Sequence, residues 1–534
     1  MSSILITNDN IDDIINTNVT DITLCKNLTA ENIYKVFSIT DVINNLTKLD
    51  CHENNNLISI PTLPNLTILK CFRCTNLTSI PILPNLTKLD CRECTKITSL
   101  PELPNLYELD CSKCDLATIP TLIKLNTLRF YECYSLVTIP SLPNLTNLVL
   151  LDCNKITTLP MLDNLMELWC YNCAGLTSIP VLPKLTKLCC TWCVGITRIP
   201  ALDCLNVLIC ISCDSLISIS VLPKLTSLNC TDCINLTNIP HLPNLNSLKC
   251  SNCDSITSIP ALSTLSVILC DQCINLTSIP TLPNLTKLHC NECVKLPSIP
   301  DLPKLTILEC NMCTELTSIP ALPELTELKC NNCTNLVNIP YLSKLTILQC
   351  SDCTSLTSIP VLDNLITLEC DMCTSLSIIP NLPNLNYLSC CNCTVLSNIP
   401  ELDTLIRLRC DDCISLTKIP ILPNLQNLEC NRCTNLISIP VLPNIIMLEY
   451  EECTNLISIP NIYDKSMMIT NRFFSHISIL KLMPNRSTEQ CCICYSGDEV
   501  FLTKCGHSYH HTCLVNWLNM ENKNCPYCRI SLVV

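Results

Sequence analysis

Pro160–Ile179 reads PMLDNLMELWCYNCAGLTSI, and the chain repeats this pattern from Pro61 to Pro460. A proline recurs at a 20-residue step, with one 19-residue step between Pro101 and Pro120 and Ser220 in place of one proline. Within the quoted unit the apolar positions are Leu162, Leu165, Leu168, Cys170, Cys173, Leu176 and Ile179. A unit this short cannot bury its apolar side alone, so neighbours must stack into one continuous core. Leu168-x-Cys170 predicts a short parallel strand with alternate side chains inward. The proline-rich half cannot donate to a ladder, which predicts an extended, polyproline-like convex side rather than helices.

The expected fold class is therefore an α/β repeat solenoid of mainly β and extended segments, followed by a small C-terminal metal-bound module. Leu165, Leu168, Cys170 and Cys173 fill the spacing L-x-x-L-x-L-x-x-N/C, with cysteine in the third leucine's place. On these residues the array resembles the leucine-rich repeat family, and its short unit with I-P-x-L-P behind resembles the bacterial-type repeats. About 21 such units, at roughly 4.8 Å per stacked strand, imply an arc on the order of 100 Å along a concave sheet.

Of 49 cysteines, 38 occupy two slots of the repeat, mostly as C-x-x-C. Spacing alone would allow zinc sites or a disulfide ladder. The exceptions argue otherwise: the first slot holds Phe130, Leu150 and Tyr450 while Cys133, Cys153 and Cys453 remain in the second. A metal or disulfide slot would not accept those residues, whereas a core slot would. In the first repeat Cys51 is followed at the second slot by Asn54, the residue leucine-rich repeats use there to bond the turn backbone. The array cysteines are thus expected to be core ladders of small, weakly donating side chains.

So many unpaired thiols imply a reducing compartment, cytoplasmic or nuclear. The first residues, MSSILITNDNIDDIINTNVTD, lack the basic start and apolar core of a signal peptide. No run of 18 apolar residues occurs, so no membrane span is expected. The Asn-Leu-Thr triplets at Asn65, Asn85, Asn144 and Asn235 are read as repeat consensus rather than glycosylation sites. An apolar content of 48% with 15% charged residues suits a long core, and a net charge of −13 without a basic stripe excludes nucleic acid as a partner.

Beyond the array, Cys491–Cys528 reads CCICYSGDEVFLTKCGHSYHHTCLVNWLNMENKNCPYC. It holds Cys491-x2-Cys494, then Cys505-x-His507-x2-His510-x2-Cys513, then Cys525-x2-Cys528. Two residues between paired cysteines let both sulfurs reach one zinc from a tight turn, and eight ligands close two structural Zn(2+) sites. Cys492 and His511 have spacings that disfavour ligation, and no activating base is evident that would make Cys492 a nucleophile.

These residues resemble the RING fingers of the two-histidine class, which are ubiquitin-protein ligases. Ile493 precedes the second cysteine, Trp517 follows Cys513 by four positions, Pro526 follows Cys525, and Arg529 follows Cys528. The resemblance implies that Ile493, Trp517 and Pro526 form a shallow groove for a ubiquitin-conjugating enzyme. It implies that Arg529 contacts that enzyme and its attached ubiquitin. It also implies interleaved zinc sites, Cys491, Cys494, His510 and Cys513 on one ion and Cys505, His507, Cys525 and Cys528 on the other.

The positions flanking the first cysteine slot are expected on the concave face. From the fifth to the ninth repeat they include Arg129, Tyr131, Val149, Leu151, Trp169, Tyr171, Trp192, Ile209 and Ile211. Tyr131, Trp169, Tyr171, Trp192, Ile209 and Ile211 form the candidate anchor for a protein substrate. Asp352, Glu369, Asp371, Asp411, Asp412, Glu429, Glu449, Glu451 and Glu452 turn the same positions acidic later on and are expected to steer a basic partner.

The expected organisation is an N-terminal cap over 1–41, repeats over 42–460, a C-terminal cap and linker over 461–488, and the RING over 489–534. Within 461–488, Phe473, Phe474, Ile477, Ile479 and Leu480 are the capping side chains. The expected function is a RING-type ubiquitin ligase acting without a covalent intermediate, its array holding the substrate. The alternatives are a non-enzymatic scaffold with a structural RING and a metal store using the repeat cysteines. Such regular repeats in a low-glycine, Ile- and Asn-rich chain resemble proteins of large DNA viruses of amoebae, which would place the protein in a host cell.

Overall fold

The computed structural model describes residues 3–11, 19–457, 468–469, 490–494, 501–502, 507–509, 513, 517 and 524–529. The chain is a parallel β-solenoid with two short helices near its start. It divides into two compact units, Met1–Cys293 and Val294–Val534.

In the first unit, strand β1 (Ser3–Ile6) pairs in parallel with β2 (Asp21–Leu24), and β2 pairs with β3 (Lys48–Asp50). Between β2 and β3 lie α1 (Ala30–Ser38) and α2 (Thr40–Asn45). Thr29 caps α1 by accepting the Asn32 amide, and Ile33 and Val36 turn inward, so a helical period replaces the proline-rich half-turn here. From β3 onward the register advances by one repeat per strand, Lys48↔Ile68↔Lys88↔Glu108, and absorbs the 19-residue step as Glu108↔Thr127. The strands that follow that step, Thr127–Tyr131, Asn147–Leu151 and Glu167–Tyr171, run to five residues, against three for most others. In the second unit the same register runs from Ile307↔Glu327 to Asn427↔Met447, and Met447–Glu449 pairs onward with Met468–Ile469.

All seven apolar positions of the quoted unit are buried, and the same slots are buried along the array. After the first cysteine slot the chain turns through a left-handed residue, φ 50–60°, in every repeat from Glu53 to Glu452. None of these residues is glycine. They include Trp192, Met312 and Met372, each held against the Cβ–carbonyl clash that disfavours this region. What holds them is a ladder: Glu53 N donates to Phe72 O at 2.9 Å, Arg73 N to Arg92 O at 2.8 Å, and Met312 N to Asn331 O at 2.7 Å.

The repeat-slot cysteines are packed in the core, with Cys453 half-buried, and none is disulfide-bonded among the described residues. Second-slot thiols donate to the first-slot carbonyl of the preceding repeat, as from Cys74 to Cys51 at 3.0 Å and from Cys353 to Cys330 at 3.0 Å. Around the five-residue strands the distance grows, to 3.5 Å from Cys133, 3.8 Å from Cys153, 3.6 Å from Cys173 and 3.5 Å from Cys193, whether the first slot holds Cys111 and Cys170 or Phe130 and Leu150. Burial holds the Cys111 and Cys170 thiols well above the ordinary thiol range, so they stay protonated and inert.

Asparagines build further ladders on the flanks. The side-chain amides of Asn65, Asn85 and Asn144 donate to carbonyls 21 residues earlier at 2.7–2.8 Å, and Asn235 donates to Asp214 O at 2.7 Å. The nitrogen that a glycan would occupy in these four Asn-Leu-Thr triplets is already committed to the backbone. Ser220 shows the converse of the proline rule. Its N–H donates to Ile199 O at 3.0 Å, and Arg198–Ile199 and Ser218–Ile219 pair there as a small second sheet.

Candidate metal centre and partner faces

Two short cysteine turns organise the carboxyl-terminal module. In Asn524–Arg529 the Cys528 amide donates to Cys525 Sγ at 3.5 Å and the Arg529 amide to Cys525 O at 3.0 Å, closing the turn on a left-handed Arg529 at φ 60°. A hairpin, Phe501–Leu502 against Ser508–Tyr509, carries His507 beside this turn. Cys525 Sγ lies 3.7 Å from His507 Nδ1.

The ligand atoms of His507, Cys525 and Cys528 all lie within 4.8 Å of one another, and so do those of Cys491, Cys494 and Cys513. Two ligands on one tetrahedral zinc, at ~2.3 Å for sulfur and ~2.1 Å for nitrogen, stand about 3.6 Å apart. The spacing and the thiol–imidazole donor sets therefore fit zinc. Cys505 and His510, the remaining ligand of each expected set, lie outside the described residues. These are the only two such clusters among the described residues, and no array cysteine belongs to either.

Electrostatics around the turn favour a thiolate at Cys525. Burial opposes it, but the Cys528 amide, the Tyr509 hydroxyl and the Tyr527 amide together bring this thiol down to about 6. Burial and its neighbours Cys494 and Cys491 push Cys513 up to about 12. Tyr509, buried with its hydroxyl 2.9 Å from Cys525 Sγ, is a residue the ligand spacing did not point to. Its only sequence signal is an aromatic between His507 and His510.

The four expected docking residues gather around Cys525. Ile493 is half-buried against the cluster of Cys491, Tyr509 and Cys525. Trp517 donates its indole N–H to Asn524 O at 2.9 Å, which fixes the ring beside the turn. Pro526 is half-buried and Arg529 exposed.

On the array, Trp169 and Trp192 are the exposed members of the expected aromatic set, at 38% and 46%. Tyr131, Tyr171, Ile209 and Ile211 are half-buried beside them, and the Tyr171 and Trp192 rings meet at 4.9 Å. The acidic set is less uniform than expected. Glu429 is buried and binds Arg407 and Arg409 at 2.6 and 2.8 Å, and Asp412 binds Arg432 at 2.6 Å. Those carboxylates are neutralised by cations of neighbouring repeats and offer a partner no free charge.

Residues 489–529 match the family model described as "Ring finger domain". The C-terminal segment is a RING-H2 domain. This RING resembles the probable E3 ubiquitin-protein ligase XERICO of Arabidopsis thaliana, 43% identical over 53 residues, which are 9% of this chain and 33% of that protein. It also resembles E3 ubiquitin-protein ligase RHA2B of Arabidopsis thaliana, 36% identical over 67 residues, 12% of this chain and 42% of that one. RING finger protein 141 of Danio rerio is 39% identical over 44 residues, 8% of this chain and 19% of that one. The chain thus spans less than half the length of each of these relatives. A leucine-rich repeat protein from Bacteroides ovatus aligns over 76% of this chain and 92% of its own, at 15% identity and a TM-score of 0.31. The array's architecture rests on its own register, not on that likeness. The Cys/His groups of the RING imply zinc. Among the described residues no helix is long and apolar enough to cross a membrane.

Proposed function

We propose that the chain is a RING-type ubiquitin ligase whose repeat array recruits a protein substrate. Two Zn(2+) ions are held, one by Cys491, Cys494, His510 and Cys513, the other by Cys505, His507, Cys525 and Cys528. When bound, zinc supplies cross-links only, since four protein ligands leave no position for water. A ubiquitin-conjugating enzyme docks on Ile493, Trp517 and Pro526. Arg529, exposed at the end of the Cys525 turn, bonds to that enzyme and to its attached ubiquitin, confining the ubiquitin tail to a reactive geometry. Confinement of that kind lowers a barrier by several kcal/mol without a covalent intermediate on the ligase. The strand face around Trp169 and Trp192 holds the substrate and raises the local concentration of its lysines. The unpaired core thiols suit a reducing compartment, cytoplasmic or nuclear, including that of a host cell.

The observation that supports this proposal is the pairing of two ligand clusters with a matched RING segment in which Ile493 packs against the Cys491, Tyr509 and Cys525 cluster and Trp517 bonds Asn524 at the start of the Cys525 turn. The test is an autoubiquitination assay over a panel of conjugating enzymes. Arg529→Ala and Ile493→Ala should keep their zinc and transfer ubiquitin at least about tenfold more slowly. Tightly bound zinc without transfer by any enzyme of the panel would leave a scaffold in place of a ligase.

A further inference from the structure

One stretch of the first unit's strand face differs from the rest in both polarity and charge. The row one residue before the first slot runs in register as Val149↔Trp169↔Cys189↔Ile209, with Leu151↔Tyr171 beside it. This apolar run is bounded by Arg129, bound to Glu108 at 2.7 Å, and by Asn229, which accepts from Thr231. The neighbouring row of left-handed residues reads Asp152, Asn172, Trp192, Ser212, Asp232. Trp192 is thus flanked, two repeats away on each side, by a carboxylate.

These two carboxylates differ from Glu132 and Glu167 on the same face. Glu132 is matched by Lys113 at 3.2 Å and Glu167 by Lys187 at 3.3 Å. Asp152 meets the Asn172 side-chain amide, and Asp232 meets the Asn252 amide and the Ser212 hydroxyl. Neither makes an ion pair among the described residues. Two repeats correspond to roughly 10 Å, close to the length of three residues of a polyproline-II segment, whose threefold period returns every third side chain to the same face.

From this charge complementarity we infer that the face docks a segment of a partner protein in polyproline-II conformation, carrying one large apolar residue with lysine or arginine three positions to either side. The apolar residue packs on Trp192, Tyr171 and Trp169, and the two cations meet Asp152 and Asp232. The inference rests on the proposal that this face recruits protein, and it specifies the sequence recruited. Polyanions are excluded by the same two carboxylates.

The test uses the full chain and a fluorescein-labelled nine-residue peptide with phenylalanine at its centre and lysine three positions to each side, read by anisotropy. A control peptide carries glutamate in place of both lysines. The lysine peptide should bind at least about tenfold more tightly, with a preference that fades in high salt. Trp192→Ala should weaken it about tenfold, and the double variant Asp152→Asn with Asp232→Asn should bind both peptides alike. Equal binding of the two peptides to the unaltered chain, binding of neither, or an undiminished preference in the double variant would overturn the inference. No conjugating enzyme is present in this assay, so ubiquitin transfer with no peptide preference refutes the docking motif alone. Peptide preference without transfer refutes the ligase proposal alone.

Discussion

The Cys74 thiol donates to the Cys51 carbonyl at 3.0 Å, and the Asn54 side-chain amide donates to that same carbonyl at 3.1 Å. One carbonyl at the first turn therefore receives both the asparagine and the cysteine form of the second slot. Asn54 Oδ1 also accepts the amide of Leu28, so the asparagine stitches the helical cap to the first repeat at 2.9 Å. Later repeats carry out the stitching with sulfur.

It follows that a second-slot thiol contributes a hydrogen bond as well as volume. Cys253, whose thiol donates to Cys230 O at 3.1 Å, is buried. Cys253→Ala should lower the array's stability by about 1–2 kcal/mol, from the lost donor and the void. Cys253→Asn should cost less than Cys253→Asp, which cannot donate and brings a charge. Urea unfolding midpoints of the three variants measure the order.

Left-handed positions predict a second ranking. Met312 sits at φ 59° in a turn whose amide bonds Asn331 O. Met312→Val should be less stable than Met312→Gly by about 1–2 kcal/mol, because a β-branched side chain resists this region and glycine does not. Thermal unfolding of the pair checks it.

The pH dependence has a definite sign at Asp411. Burial raises this carboxyl above its ordinary range while its Oδ1 accepts the Asn431 amide at 2.7 Å. Since the folded value lies above the unfolded one, the stabilising contribution is complete below the ordinary carboxylate range and is lost as pH rises through the raised value. Asp411→Asn keeps the acceptor and removes the charge. It should therefore be more stable than the native chain at pH 7 and converge with it near pH 4. A variant less stable than the native chain at pH 7 would contradict the assignment.

At the metal centre, Tyr509→Phe removes the hydroxyl 2.9 Å from Cys525 Sγ. The variant should retain its zinc but yield it to a chelator faster, with a loss of about 1–2 kcal/mol in module stability. His507→Ala or Cys525→Ser should instead lose one zinc outright and abolish transfer, because structural zinc supplies most of such a module's folding energy. Metal-release kinetics followed with a chromogenic chelator separate the two outcomes.

Much of this was readable from residues. Phe130, Leu150 and Tyr450 standing in a cysteine slot marked that slot as core, and Phe130 and Leu150 are fully buried with Tyr450 nearly so. Ser220 in a proline register position marked the one place where that row could donate a ladder bond. The left-handed turn carried no signal, since the chain has four glycines and none stands at that position. Cross-repeat hydrogen bonding imposes the conformation, and only stacking reveals it. Charge was misjudged for a related reason: Glu429 and Asp412 count as acidic in a string, yet Arg409 and Arg432 reach them from neighbouring repeats. Tyr509 was passed over because a ligand motif describes spacing, and the group that supports a ligand has no fixed place in it.

The most direct measurement is the zinc content of the purified native chain by elemental analysis. Two zinc ions per chain are predicted, both lost when cysteines of both ligand sets are altered together and neither affected by changes in the repeats. A ratio approaching the number of repeat cysteine pairs, or a folded chain with no zinc, would contradict the division into a packed thiol core and a metal-bound RING.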